Sequence, residues 1–129
     1  MKNIVLLLLL VISVGLQAQS LGDHLNYIKS KEPSGNLETN PKGGYVYSYV
    51  SPETGSLKMY FLDEDLICEA LALKPPDAYG VNTLVKLLNK DWVKQSDDTW
   101  LLYRSEDVMT AHLDYVEGVG RVFYFTRTK

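Results

Sequence analysis

Tyr45-Val46-Tyr47-Ser48-Tyr49-Val50-Ser51 decides how the chain folds. Tyrosine stands at every second position. A period of two belongs to a strand, whose side chains point alternately to opposite faces. One set of alternates must meet a core and the other must meet water. A slip of one residue reverses that assignment for the whole strand.

Downstream, Pro52-Glu53-Thr54-Gly55 is a turn by composition, proline fixing φ and glycine tolerating positive φ. Residues 56–62 form a second strand, and Asp63-Glu64-Asp65 is the next hairpin connection. Residues 66–74 form a third strand, stopped by Pro75-Pro76, which cannot donate to a ladder. Asp77 caps a helix on which Val81, Leu84, Val85, Leu88 and Trp92 make one apolar stripe. After Gln95-Ser96-Asp97-Asp98 come three more strands, at residues 99–105, 108–116 and 121–128. Upstream, residues 32–44 hold two prolines and three glycines with little apolar content, and read as a loop. Ser20 and Asp23 resemble a capping box before Leu21, Leu25 and Ile28, which predicts a helix over residues 21–31.

The class is therefore α+β, in the order α-βββ-α-βββ. Two helices pack on one face of a curved, mainly antiparallel sheet of about six strands. Leu25, Ile28 and Lys31 align with Leu84, Leu87 and Lys90, and Tyr49, Ser51 and Glu53 with Tyr103, Ser105 and Asp107. A tandem repeat and the chance likeness of strand-forming sequence both account for this.

Gathering the apolar alternates gives a core face. It takes Val46 and Val50, then Leu57, Met59 and Phe61, then Cys68, Ala70 and Ala72. From the second set of strands it takes Trp100, Leu102, Met109, Ala111, Leu113, Tyr115, Phe123 and Phe125. The opposite, wet face then carries Tyr45, Tyr47, Tyr49, Lys58, Tyr60, Tyr103, His112 and Tyr124. Tyrosine supplies large, stiff contact area with a polar tip. Those eight residues are the expected binding surface for a protein or peptide. Ordinary sheet chemistry is the competing account, since tyrosine favours strands and cross-strand aromatic pairs. Only Glu69 argues for the phase of the third strand.

Lys2, the apolar run of residues 4–14 and the small residues up to Ala18 read as a secretory signal peptide, too short to span a bilayer. The expectation is an exported protein, periplasmic or extracellular, cut near Ala18. The remaining residues 19–129 form a single domain. Removal of residues 1–18 leaves 111 residues with 12 basic and 16 acidic side chains, a net charge of −4. An acidic chain has no electrostatic reason to seek nucleic acid, and no second apolar stretch suggests stable membrane insertion. Cys68 is the single cysteine, which excludes an intrachain disulfide; its neighbours Ile67 and Glu69 suit a buried small hydrophobe, not a reactive thiol.

No catalytic motif is present, and neither a cofactor nor a metal is expected. There is no HExxH or paired-cysteine spacing, and the acidic turns lack a calcium loop. His112 and Asp114 share a face beside Thr110 and offer an acid–base pair without a nucleophile at motif spacing. In element order the mature chain resembles the tandem helix-plus-sheet plan of the β-lactamase inhibitor proteins, which dock a concave sheet on an enzyme; no motif carries that likeness. The expected function is a non-enzymatic interaction module. The alternatives are a small-ligand-binding envelope protein using Trp92 and Trp100, a hydrolase using His112 and Asp114, and an envelope subunit pairing through a strand edge.

Overall fold

The structure, a computed structural model, describes residues 20–128; the expected signal peptide lies outside them. Among these residues two helices and eight strands are defined, in chain order. The first half is α1 (Leu25–Lys31), β1 (Asn36–Thr39), β2 (Tyr45–Val50), β3 (Leu57–Leu62) and β4 (Cys68–Lys74). The second is α2 (Ala78–Asp91), β5 (Val93–Ser96), β6 (Thr99–Tyr103), β7 (Val108–Val116) and β8 (Gly120–Thr128).

The strands form one sheet in the order β1-β2-β3-β4-β8-β7-β6-β5, and every neighbouring pair is antiparallel. The sheet has eight strands, two more than expected. The additional ones, β1 and β5, are its edges, and all their residues are exposed. A strand wet on both faces needs no hydrophobic alternation, so β1 hides within a loop-like composition and β5 within a polar connection.

α1 begins at residue 25, four residues later than its apolar spacing predicts. The segment before it is tied to the start of β4 instead. Gly22 N–H donates to the Cys68 carbonyl, Cys68 N–H donates to the Asp23 carbonyl, and His24 bridges Ile67. His24, not Ser20, is the N-cap, its Nδ1 accepting from the Asn26 N–H at 3.0 Å. α2 starts as expected at Asp77, whose Oδ1 accepts from the Gly80 N–H at 2.8 Å. Its stripe buries Val81, Leu84 and Leu88, and Trp92 ends it with an edge-on contact to Phe125.

Cross-strand partners share a face, so the register sorts the sheet. One row runs Tyr47, Tyr60, Leu71, Phe125, Ala111, Trp100 across six strands. Every member is buried, in one core with Leu25 and Ile28 of α1 and Val81, Leu84 and Leu88 of α2. The adjacent row, Ser48, Met59, Ala72, Tyr124, His112, Thr99, lies on the open face.

The second half follows its expected phase. Trp100, Met109, Ala111, Phe123 and Phe125 are core, and only Tyr115 departs, standing exposed near the end of β7. The first half is reversed. Tyr45, Tyr47, Tyr49, Lys58 and Tyr60 lie beneath α1, while Val46, Val50, Leu57, Met59 and Phe61 face outward. In β4, Cys68 is core as expected, but the register shifts between Phe61 and Leu62, setting Glu69 aside and sending Ala70 and Ala72 to the open face.

The reversal has a chemical cause at the end of α1. A helix of seven residues covers little apolar area and leaves polar groups at its C terminus. The phenol tips reach them. Tyr47 Oη donates to the Glu32 carbonyl and accepts from the Gly35 N–H at 2.9 Å. Tyr60 Oη donates to Glu32 Oε2 at 2.7 Å, and Lys58 Nζ meets Oε1 at 2.6 Å. Valines and serine at those positions could satisfy none of these groups.

Candidate functional site

The open face is where a site can form, since both helices lie on the other side. Its first half is apolar. Val46 and Val50 of β2, Leu57, Met59 and Phe61 of β3, and Ala70 and Ala72 of β4 form its centre with Ser48, while Asn36 and Glu38 of β1, opposite Ser48 and Val46, and Lys74 of β4, opposite Leu57, put polar and charged groups only at its margins. Val50 is 59% exposed. Beside them, Leu57, Met59, Phe61, Ala72, Val122 and Tyr124 line a groove of about 180 Å³. Val116 and Val119 of the β7–β8 hairpin and the stem of Lys74 close one end.

The second half of the same face is polar. β7 presents Thr110, His112 and Asp114, and β6 presents Thr99, Leu101 and Tyr103. His112 Nδ1 lies 3.1 Å from Thr99 Oγ1 and 4.0 Å from Asp98 Oδ1. Hydrogen bonds from Ser96 and Thr99 hold the Asp98 carboxyl below its ordinary range. Asp114 accepts from the Tyr115 N–H instead of pairing with His112.

Of the eight residues expected to bind, three remain on the open face. Tyr103 is exposed, and His112 and Tyr124 are half-buried beside each other across β7 and β8. Tyr45, Tyr47, Tyr49, Lys58 and Tyr60 are removed from it, because they form the underside of the α1 packing. The outward aliphatic and aromatic residues of β2 and β3 replace them. No signal in one sequence marks those residues as facing away from the core: alternation looks the same after a one-residue slip.

The polar chemistry elsewhere is engaged in structure. Cys68 is fully buried, its Sγ donates to the Ala70 carbonyl, and burial pushes its thiol up to about 12. Asp63 Oδ1 accepts from the N–H groups of Asp65 and Ile67, so that acidic connection spends a carboxylate on its own turn. Asp107 takes a bidentate contact from Arg104. Among the described residues no cluster of three or more His, Cys, Asp or Glu side chains could hold a metal ion. Nor is any described helix long and apolar enough to cross a membrane.

Comparison with protein-family models, with curated proteins and with solved structures finds no match. The likeness in element order to the β-lactamase inhibitor proteins therefore carries no argument, and the site stands on its own chemistry.

Proposed function

We propose that this protein is an exported, non-enzymatic interaction module that docks an apolar surface of a partner protein on the open face of its first half. One observation carries the reading. The two halves share a sheet, with β2 and β3 occupying the places that β6 and β7 occupy when the strand order is read from the other end. The second half leaves Thr110, His112 and Asp114 uncovered, and the first leaves Leu57, Met59 and Phe61. The second half is thus an internal control for what an uncovered face requires. Leu57, Met59 and Phe61 are half-buried there, outside the fold's own core, and with the exposed Val50 they leave an apolar patch facing solvent.

The apolar residues of this face spread over β2, β3 and β4, from Val46 and Val50 to Ala70 and Ala72, which favours a broad contact over an enclosed ligand. The partnering of His112 with Thr99 and the burial of the Cys68 thiol favour binding over catalysis. The test is cross-linked capture from the native envelope and medium by the chain lacking residues 1–18. Met59→Ser with Phe61→Ser is expected to abolish capture while leaving the melting temperature near the parent value. Thr110→Ala is expected to change neither. Equal capture by the Met59/Phe61 variant overturns the reading.

A further inference from the structure

The apolar groove does not end on the open face. Lys74 and Val119 line it, and the same two residues line a larger cleft of about 480 Å³ at the end of the sheet. The wall of that cleft runs from Pro75 and Pro76 to the first turn of α2 on one side, and along Tyr115 and Arg121 of the β7–β8 hairpin on the other. The apolar groove thus continues into a largely apolar cleft that also carries charged side chains.

The charge of the cleft is opposite to that of the molecule. The chain carries a net charge of −3, yet the cleft holds Lys74 and Arg121 against a single acid, Asp77. Asp77 Oδ1 accepts from the Gly80 N–H. Among the described residues neither Lys74 nor Arg121 has an ion-pair partner within 4.0 Å. The Lys74 stem lies across Gly120, its Cε 4.0 Å from the place a Cβ on that glycine would take. The Lys74 side chain thereby lines both groove and cleft.

We infer that the partner docked on the open face presents an acidic side chain beside its apolar ones, and that Lys74 and Arg121 receive its carboxylate. The inference rests on the docking reading above and names the chemistry of the occupant. A protein surface fits better than an anionic amphiphile. The apolar area spreads across β2, β3 and β4 beyond the groove, and a single acyl chain would leave most of it wet. Two cations with no ion-pair partner among the described residues, in an acidic molecule, also favour a partner's carboxylate at this end of the sheet.

The probe is a library of random short peptides with amidated C termini, selected on the chain lacking residues 1–18. The parent protein is expected to enrich apolar peptides that also carry Asp or Glu. Lys74→Met with Arg121→Met is expected to enrich apolar peptides without the acid, and to bind the parent's best peptide roughly tenfold more weakly, as loss of a partly desolvated charge contact predicts. Added salt should weaken the parent and leave the double variant unchanged. Apolar peptides selected with no acidic preference overturn the inference and leave the docking face standing. So does a parallel library in which only free C termini are enriched, or saturable binding of laurate that displaces every peptide. If Met59→Ser with Phe61→Ser selects the same peptides as the parent, the docking reading fails as well.

Discussion

Glu32 is gripped from the sheet by Lys58 and Tyr60, with side-chain exposures of 15% for the acid and 7% for the lysine. Breaking a buried pair by removing one partner leaves an uncompensated charge, at about 3–5 kcal/mol. Lys58→Met should lower stability by about that amount, read from the urea midpoint, and Glu32→Gln added to it should restore most of the loss. An unchanged midpoint in Lys58→Met would show that the pair contributes nothing. Gly35 tests the same packing: a Cβ there would stand 2.3 Å from Tyr47 Cζ, so Gly35→Ala should displace the ring and lower the melting temperature. Two groups beneath α1 and β4 also give a pH signature. Burial first, then the Glu32 charge, raises the Tyr60 phenol above its ordinary value of 10.0, and burial raises the Cys68 thiol from 9.0 to about 12. Both folded values exceed the unfolded ones, so the unfolded chain loses these protons first as pH rises. Their contribution is complete below about pH 9 and falls as pH climbs toward 12 and beyond. Urea midpoints measured across that range should decline, and Cys68→Ala should flatten the start of the decline. None of this was legible residue by residue. Tyr45, Tyr47 and Tyr49 look like a surface because tyrosine tolerates water, and the partners of the buried Tyr47 hydroxyl, Glu32 and Gly35, arrive from a segment with no strand pattern.

At the scale of elements, legibility follows burial. Residues 108–116 were bounded by alternation alone, and β7 occupies them to the residue, because one of its faces is core and the other polar. α2 was legible for the same reason: its stripe faces a core along fourteen residues. β1 and β5 were not, since Asn36-Leu37-Glu38-Thr39 and Val93-Lys94-Gln95-Ser96 are exposed throughout. Their polarity has its own logic, because polar and charged side chains on a sheet edge discourage further pairing. The strands of the first half fall between these cases. Their existence was evident, and their phase was not, because both faces of β2 and β3 are semi-apolar and the deciding hydrogen bonds come from outside the strands. The contact between α2 and the sheet allows a direct test. Trp100 is fully buried, and its indole N–H donates to Asn89 Oδ1 at 2.8 Å. Asn89→Leu should leave that donor unsatisfied at a cost of about 1–3 kcal/mol, seen as a lower urea midpoint with the helix content of the native protein retained. A midpoint within error of the parent would mean that the buried N–H finds another partner.

Across the whole molecule, the strand order reads the same from either edge, and the described strands of the two halves pair where β4 meets β8. Where three strands per half were expected, each half has four strands and one helix, and the aligned residues part company: Tyr49 packs against the core while Tyr103 stands on the open face. The seam joins the units by core as well as by backbone. Leu71 faces Phe125 and Leu73 faces Phe123, and these four side chains are fully buried. A buried row that passes without a break from Tyr47 to Trp100 gives neither unit a hydrophobic core of its own. The halves should therefore unfold together despite their separate helices. Leu71→Ala, a truncation in the middle of that row, should cost about 2–5 kcal/mol. Hydrogen exchange should show protection falling by the same factor in β2 and in β6, which lie on opposite sides of the seam. If β6 kept its protection while β2 lost its own, the two units would be independent folds. The asymmetry of the open face would then be no internal control, and the case for docking on Leu57, Met59 and Phe61 would lose its main support.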